Sequence, residues 1–317
     1  MTQEKRDHSL DNLKAILIFL VVFAHLLEDA AVFDGKVLLY KMIYSFHMPV
    51  FIFILGYFAK FRPMKILLHW VVPYLVLQMV YIFFANHALG ENLKYQFHTP
   101  YWILWYLMAG VVYQLIIPIL NIGNKYIQGT FLLASIVGAL AAGLNTSIGY
   151  KWSLSRILVF LPWFILGYYA RKYKVLEQLP FRKGRTAVVS LVALVLGVAS
   201  GLSIYRNKVS NLLLWASFNY ERCKSSMWLR LMLMAVALIW LVFWICFAKI
   251  LLSRRVPLLT MIGKNTLPVF LLHGFVVKAI PVYAPGILSS PWYIFGVSII
   301  LLLLFGNPIC KRIFIWR

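Results

Sequence analysis

The chain is short of charge, and shortest of negative charge. Only 9 Asp and Glu stand among 317 residues, and charged residues of both signs make up 13%. A soluble domain carries about 25%, so a water-facing globular surface cannot be assembled from this sequence. Cysteine is also scarce. Cys223, Cys246 and Cys310 are far apart, which excludes a disulfide framework and the close ligand spacing of a zinc site; they read as packing residues. Long hydrophilic stretches are missing, so no soluble domain of useful size is left over, and no internal repeat stands out. The first apolar run follows Lys5 and Arg6 but lacks the small-residue cleavage site of a secretory signal.

What is there is apolar. Hydrophobic residues make up 62% of the chain and the mean hydropathy is +0.83. Apolar runs occupy 13–31, 40–59, 65–85, 102–121, 130–148, 155–170, 186–205, 228–252, 265–283 and 291–310. Most are near the ~20 residues that cross ~30 Å of hydrocarbon, and lipid leaves no partner for an unpaired backbone group, so the runs should be helices. The expected fold class is all-α: a polytopic transmembrane helical bundle of about ten spans, forming a single domain over 1–317. Segment 208–220 fits a partial helix dipping into the interface.

The 31 Lys and Arg lie mostly in short loops. There they orient helices against the head groups of membrane lipids and do not call for nucleic acid as a partner. With the N-terminus inside, inner loops carry 19 of them and outer loops 8, which puts both termini in the cytoplasm. The aromatic content, 16%, reads first as an interfacial belt.

Ionisable groups inside spans cost about 2.5–3.5 kcal/mol on insertion scales and therefore mark candidate sites. Asp11 and Lys14 stand at the inner end of the first span. His25 follows Lys14 by eleven residues, roughly 16 Å of helix and close to a whole number of turns, so the cation and the imidazole share one stripe. Glu28 and Asp29 follow His25 at i+3 and i+4, where helix side chains meet; either carboxylate can orient the imidazole as a general base requires. The same spacing also suits a boundary histidine with a solvated acidic cap. His47 opens the second span in Tyr44-Ser45-Phe46-His47-Met48-Pro49, with Pro49 in the first turn, where no amide bond is lost.

Taken together, these segments resemble the membrane acyltransferase-3 family, which includes bacterial integral-membrane glycan O-acetyltransferases and fucose 4-O-acetylase-like proteins. The resemblance is carried by Leu10-Asp11-Asn12-Leu13-Lys14, by Val21-Val22-Phe23-Ala24-His25, and by Phe46-His47-Met48-Pro49 running on to Gly56-Tyr57-Phe58. It continues through Leu104-Trp105-Tyr106-Leu107, Phe160-Leu161-Pro162-Trp163-Phe164-Ile165-Leu166-Gly167-Tyr168 and Ile262-Gly263-Lys264-Asn265-Thr266-Leu267, ending at His273. Leu55 stands where the family often has Ser, and Lys14 where it often has Arg; lysine keeps the charge but loses the bidentate fork.

The resemblance implies a multi-pass protein of the bacterial cytoplasmic membrane. As cosubstrate it implies acyl-CoA, acetyl-CoA before others, with no bound cofactor and no metal. Its acceptor would be the hydroxyl of a cell-envelope glycan or a lipid-linked sugar. His25, oriented by Asp29 or Glu28, would deprotonate that hydroxyl, with His47 helping to position substrate. Lys14, Arg156 and Lys264 would meet the anionic part of CoA, although Arg156 equally suits a snorkelling boundary arginine. Asp11, Trp105, Tyr106 and His273 would complete the acceptor side or the pocket, His273 also fitting a buried polar residue with a partner. The competing expectation is an exporter of polysaccharide or lipid-linked sugar with no chemistry of its own; a broken-helix pair or matched halves would mark it, and the sequence has neither.

Overall fold

The computed structural model describes residues 8–30 and 35–314, and no strand occurs among them. The main helices in chain order are α1 (Ser9–Asp29), α2 (Gly35–Tyr44), α3 (His47–Phe58), α4 (Pro63–Ala88), α5 (Trp102–Leu115) and α6 (Lys125–Ala141). They continue as α7 (Leu154–Lys172), α8 (Lys183–Arg206), α9 (Met227–Leu251), α10 (Pro257–Lys264), α11 (Thr266–Tyr283) and α12 (Pro291–Phe305). Seven helical stretches are long and apolar enough to cross a membrane: Ser9–Glu28, Val37–Phe58, Pro63–Ala88, Lys151–Lys172, Lys183–Arg206, Met227–Leu251 and Thr266–Tyr283. Trp102–Leu115, Lys125–Ala141 and Pro291–Phe305 are apolar but shorter. Each apolar run read from the sequence overlaps at least one helix, seven of the ten expected spans among the described residues are long and apolar enough to cross, and the protein is an all-α polytopic bundle.

Helix α1 is central and packs against α2, α3, α9, α10, α11 and α12. Its span is 67% buried, whereas that of α8 is 28% buried; α8 turns Val188, Leu191, Val192 and Val195 outward as a lipid-facing helix does. The α3–α7 contact is extensive, and two glycines make it close. A Cβ on Gly56 would lie 2.1 Å from the Phe164 carbonyl oxygen, and one on Gly167 would lie 2.0 Å from that of Phe53. Small residues let backbones approach in this way in membranes, where burial alone supplies little attraction between helices.

The run 40–59 forms two helices with a turn at Ser45 and Phe46. Side chains make good the interrupted ladder: Ser45 Oγ donates to Met42 O at 2.7 Å and His47 Nδ1 to Ile43 O at 2.9 Å. The run 130–148 is shifted toward the N-terminus as α6, because Asn124 caps it by accepting from the amides of Tyr126 and Ile127. α10, a short helix tied to α1 through Asn12, was not expected from the sequence. The Asn12 amide donates to Leu252 O and Arg254 O at 2.8 Å and accepts from Thr260 Oγ1 at 2.7 Å.

Segment 208–220 folds into two short turns, Asn211–Leu214 and Tyr220–Cys223, joined by irregular backbone. Irregular backbone at membrane depth is stable only where its carbonyls find donors. Three cations supply them. Lys41 Nζ donates to Val209 O at 2.7 Å, Arg156 Nε to Trp215 O at 3.1 Å, and Arg230 to Phe218 O at 3.3 Å. The Trp215 indole donates to the Tyr40 hydroxyl at 2.6 Å. This clamped segment roofs the main cavity.

Candidate active site

The C-terminal turns of α1, the α2–α3 turn, the start of α5, the start of α7 and the roof segment enclose a cavity of about 290 Å³. His25 lines it. The Tyr44 hydroxyl lies 2.9 Å from His25 Nδ1 and donates to Glu28 Oε2 at 3.1 Å, while Nδ1 and Oε2 themselves are 3.8 Å apart. A phenol has one proton. With that proton directed at Glu28, the tyrosine oxygen accepts from His25, so Nδ1 carries the imidazole hydrogen and the Nε2 lone pair is left open. The ring is held edge-on to Trp102 at 4.6 Å and stacked on His273 at 5.5 Å. Trp102 reaches this position with a φ of +38°, in a region that costs a side chain about 1–2 kcal/mol.

His47 lines the same cavity, and its Nδ1 bond to Ile43 O leaves its Nε2 as the unprotonated nitrogen. His273 is fully buried; its Nδ1 donates to Val269 O at 2.9 Å, and its Nε2 has no hydrogen-bond partner among the described residues. Arg156 and Trp105 also line the cavity, the guanidinium 5.2 Å from the Trp105 ring and 5.2 Å from the Tyr150 ring.

Toward the other end of α1 lies a second cavity, about 180 Å³, lined by Lys14, Tyr106, Thr266 and apolar side chains. Lys14 pairs with Asp11 at 3.1 Å and sits over the Phe58 ring at 5.1 Å. Phe270 lines both cavities. Its ring contacts Tyr106 at 4.7 Å and His273 at 5.9 Å, and Phe51 meets Tyr106 at 6.0 Å. Neighbours on α5 therefore serve different spaces, Trp105 the His25 cavity and Tyr106 the Lys14 cavity.

The structure thus gathers His25, Glu28, His47, Arg156 and Trp105 around one cavity and Lys14, Asp11 and Tyr106 around or beside the other. Lys264 is exposed and lines neither, though with Lys311 it adds positive charge at the Lys14 end. The side chain of Asp29 lies outside the described residues. Sequence reasoning passed over Tyr44, Trp102, Tyr150, Trp215 and Lys278. Lys278 carried the same signal as Arg156, a cation inside an apolar run; Tyr44 carried none beyond its place three residues before His47.

Chemically, the His25 cavity offers an imidazole with an open lone pair, fixed in one tautomer through a hydroxyl by a carboxylate. Those are the parts of a general base. No curated protein and no solved structure matches the chain. The acyltransferase domain family model matches residues 7–306, which takes in all twelve helices named above and both cavities; the chain belongs to the membrane acyltransferase-3 family and is a multi-pass membrane acyltransferase.

Proposed function

We propose that the protein moves an acyl group, acetyl by preference, from acyl-CoA on the cytoplasmic side to a hydroxyl of a cell-envelope glycan or its lipid-linked precursor on the opposite side of the bacterial cytoplasmic membrane. One observation carries this reading. Two cavities approach each other from the two ends of α1, and the residue common to both, Phe270, touches the His25–His273 stack. A thioester entering past Lys14 and an alcohol entering beside Trp102 meet at the imidazole.

The alcohol proton passes to His25 Nε2 as the oxygen attacks the thioester carbonyl carbon. The C–S bond then breaks, and the departing CoA sulfur takes the proton back from the imidazolium. Glu28, acting through Tyr44, stabilises the charged ring in between. Lys14 attracts the anionic part of the donor at the entry. The exporter alternative requires a continuous passage for a polymer, whereas Phe51, Tyr106 and Phe270 fill the space between the cavities.

Purified protein in lipid nanodiscs is supplied with labelled acetyl-CoA and candidate envelope glycans, and ester formation is followed. His25→Ala is expected to lower transfer by about 10²- to 10⁴-fold, the usual contribution of a general base. Undiminished transfer by that variant would refute the mechanism.

A further inference from the structure

The His25 cavity does not end at its own walls. Trp102, Tyr150 and Lys278 also line an adjoining cavity of about 270 Å³, whose other polar lining includes Glu91, Lys94, Gln96 and Thr99. The two spaces share these three residues and so lie side by side, and the adjoining one shares no lining residue with the Lys14 cavity. Binding sites for small organic ligands typically measure about 300–1,000 Å³, so the joined cleft has room for more than a single sugar.

Charge in this cleft is unbalanced. In the His25 cavity the charged side chains are Arg156, Lys278 and Glu28, and the carboxylate already accepts from Tyr44. In the adjoining cavity Glu91 and Lys94 offset each other, leaving Lys278 in excess. Among the described residues, no carboxylate lies within ion-pair distance of Arg156 or Lys278. Both cations are held by ring faces: Lys278 Nζ is 4.6 Å from the Trp102 centroid, and Arg156 lies against Trp105 and Tyr150. Contact with a ring face fixes a cation without using its N–H donors. Arg156 directs Nε at Trp215 O and one further N–H, at 3.5 Å, at Trp102 O, and also hydrogen-bonds the Tyr150 side chain, so part of its five-donor fork remains for a ligand. Glu28 faces both cations and offsets one of the two charges, which leaves a net positive charge among the described lining residues; unbalanced charge in a buried site is costly, and a ligand anion is its natural counterpart. Arg156 is on the far side of Phe270 from Lys14, so an anion there arrives with the acceptor and not with CoA.

We propose that the acceptor is an acidic saccharide of at least two sugar units. Its reacting hydroxyl sits at His25, the chain continues into the adjoining cavity, and a carboxylate or phosphate on it is held by Lys278 and Arg156. The proposal rests on the acyl-transfer reading of the His25 cavity and names the substrate class that this cavity selects.

The test uses the full chain in nanodiscs and three acceptors: a uronate-containing oligosaccharide, its carboxamide twin and a glycosyl phosphate of matched length. Binding is followed without any acyl donor through the fluorescence of the cleft tryptophans, and ester formation is then measured with labelled acetyl-CoA. A hydrogen-bonded charge contributes about 1.5–3 kcal/mol, so at least one anionic acceptor is expected to bind tenfold or more tighter than the carboxamide, with KM lowered in step. The stronger of the two anionic arms shows whether the charge is a sugar acid or a phosphate. Lys278→Gln, which breaks no hydrogen bond among the described residues, is expected to bring the KM of the acidic acceptor up to that of its twin; thermal unfolding checks that the variant remains folded. Equal binding of the three acceptors by the wild type overturns the proposal, as does a full preference that survives Lys278→Gln. Charge-selective binding with no ester formed upholds the anion site and sinks the acyl-transfer reading. Ester formation blind to acceptor charge does the reverse.

Discussion

Replacing Tyr44 with phenylalanine removes one oxygen, and the geometry fixes what is lost with it. His25 Nδ1 and Glu28 Oε2 are 3.8 Å apart, beyond hydrogen-bond distance, so the carboxylate cannot take over from the hydroxyl. The Nδ1–H is left without an acceptor in a buried site, the ring can adopt the other tautomer, and an imidazolium formed in the reaction keeps only the direct 3.8 Å charge contact with Glu28. A hydrogen bond to a charged group contributes about 1.5–3 kcal/mol, and 1.4 kcal/mol is a factor of ten in rate. Tyr44→Phe should therefore lower kcat by about 10- to 100-fold. The ring itself is retained and still packs on Tyr40 at 4.2 Å and His47 at 4.7 Å, so the fold should be unaffected. KM for acyl-CoA should also be unchanged, because Tyr44 does not line the Lys14 cavity.

Initial-rate measurements with labelled acetyl-CoA separate these terms. Glu28→Gln acts on the same chain of contacts, so the double variant should be little worse than Tyr44→Phe alone. Groups acting through one network are not additive. Wild-type kcat in Tyr44→Phe, alongside a dead His25→Ala, would show that the hydroxyl bridge has no part in the chemistry. Fully additive losses would mean that Tyr44 and Glu28 act on different things.

Lys14→Met should raise KM for acyl-CoA by about tenfold or more, because it removes an attracting charge at the donor entrance; saturation curves in acyl-CoA read this directly. Gly167→Ala drives a methyl group into the Phe53 carbonyl, a backbone atom that cannot rotate aside, and should cost about 1–3 kcal/mol, seen as earlier thermal unfolding in detergent. Arg182→Cys should react with an impermeant maleimide only from the cytoplasmic side, and Lys94→Cys only from outside, in a background with Cys310→Ser since Cys223 and Cys246 are buried; the opposite labelling would invert the proposed topology.

What was legible in the sequence was whatever one helix holds by itself. The separation of Lys14 from His25 and the i+3 step to Glu28 follow from helix geometry alone, and apolar run length fixed the fold class. Two kinds of information were out of reach. Tyr44 joins His25 and Glu28 from another helix, and neither spacing nor composition records that meeting. The cavity roof at 208–220 is irregular backbone, stabilised by Lys41, Arg156 and Arg230 from three distant segments, so its propensity was ambiguous. Motif glycines also read differently in the fold. Gly56, Gly167 and Gly263 lie in the segments that carry the family resemblance, and each admits a neighbouring backbone within about 2 Å of where a Cβ would stand. They hold the helices that carry the site and take no part in its chemistry.

The separation of the two cavities also bears on how water is managed. A thioester beside an oriented imidazole is open to hydrolysis whenever water can take the place of the acceptor alcohol. Phe270 stands between the Lys14 side and the His25 side, with Tyr106 and His273 against its ring. On the proposed mechanism, this aromatic layer keeps bulk water on the acceptor side from the thioester on the donor side, while the glycine contacts and buried carbonyl clamps hold the helices that carry it. Phe270 is the side chain that lines both spaces, so it is the one whose displacement would let donor and acceptor meet without opening a pore through the bundle.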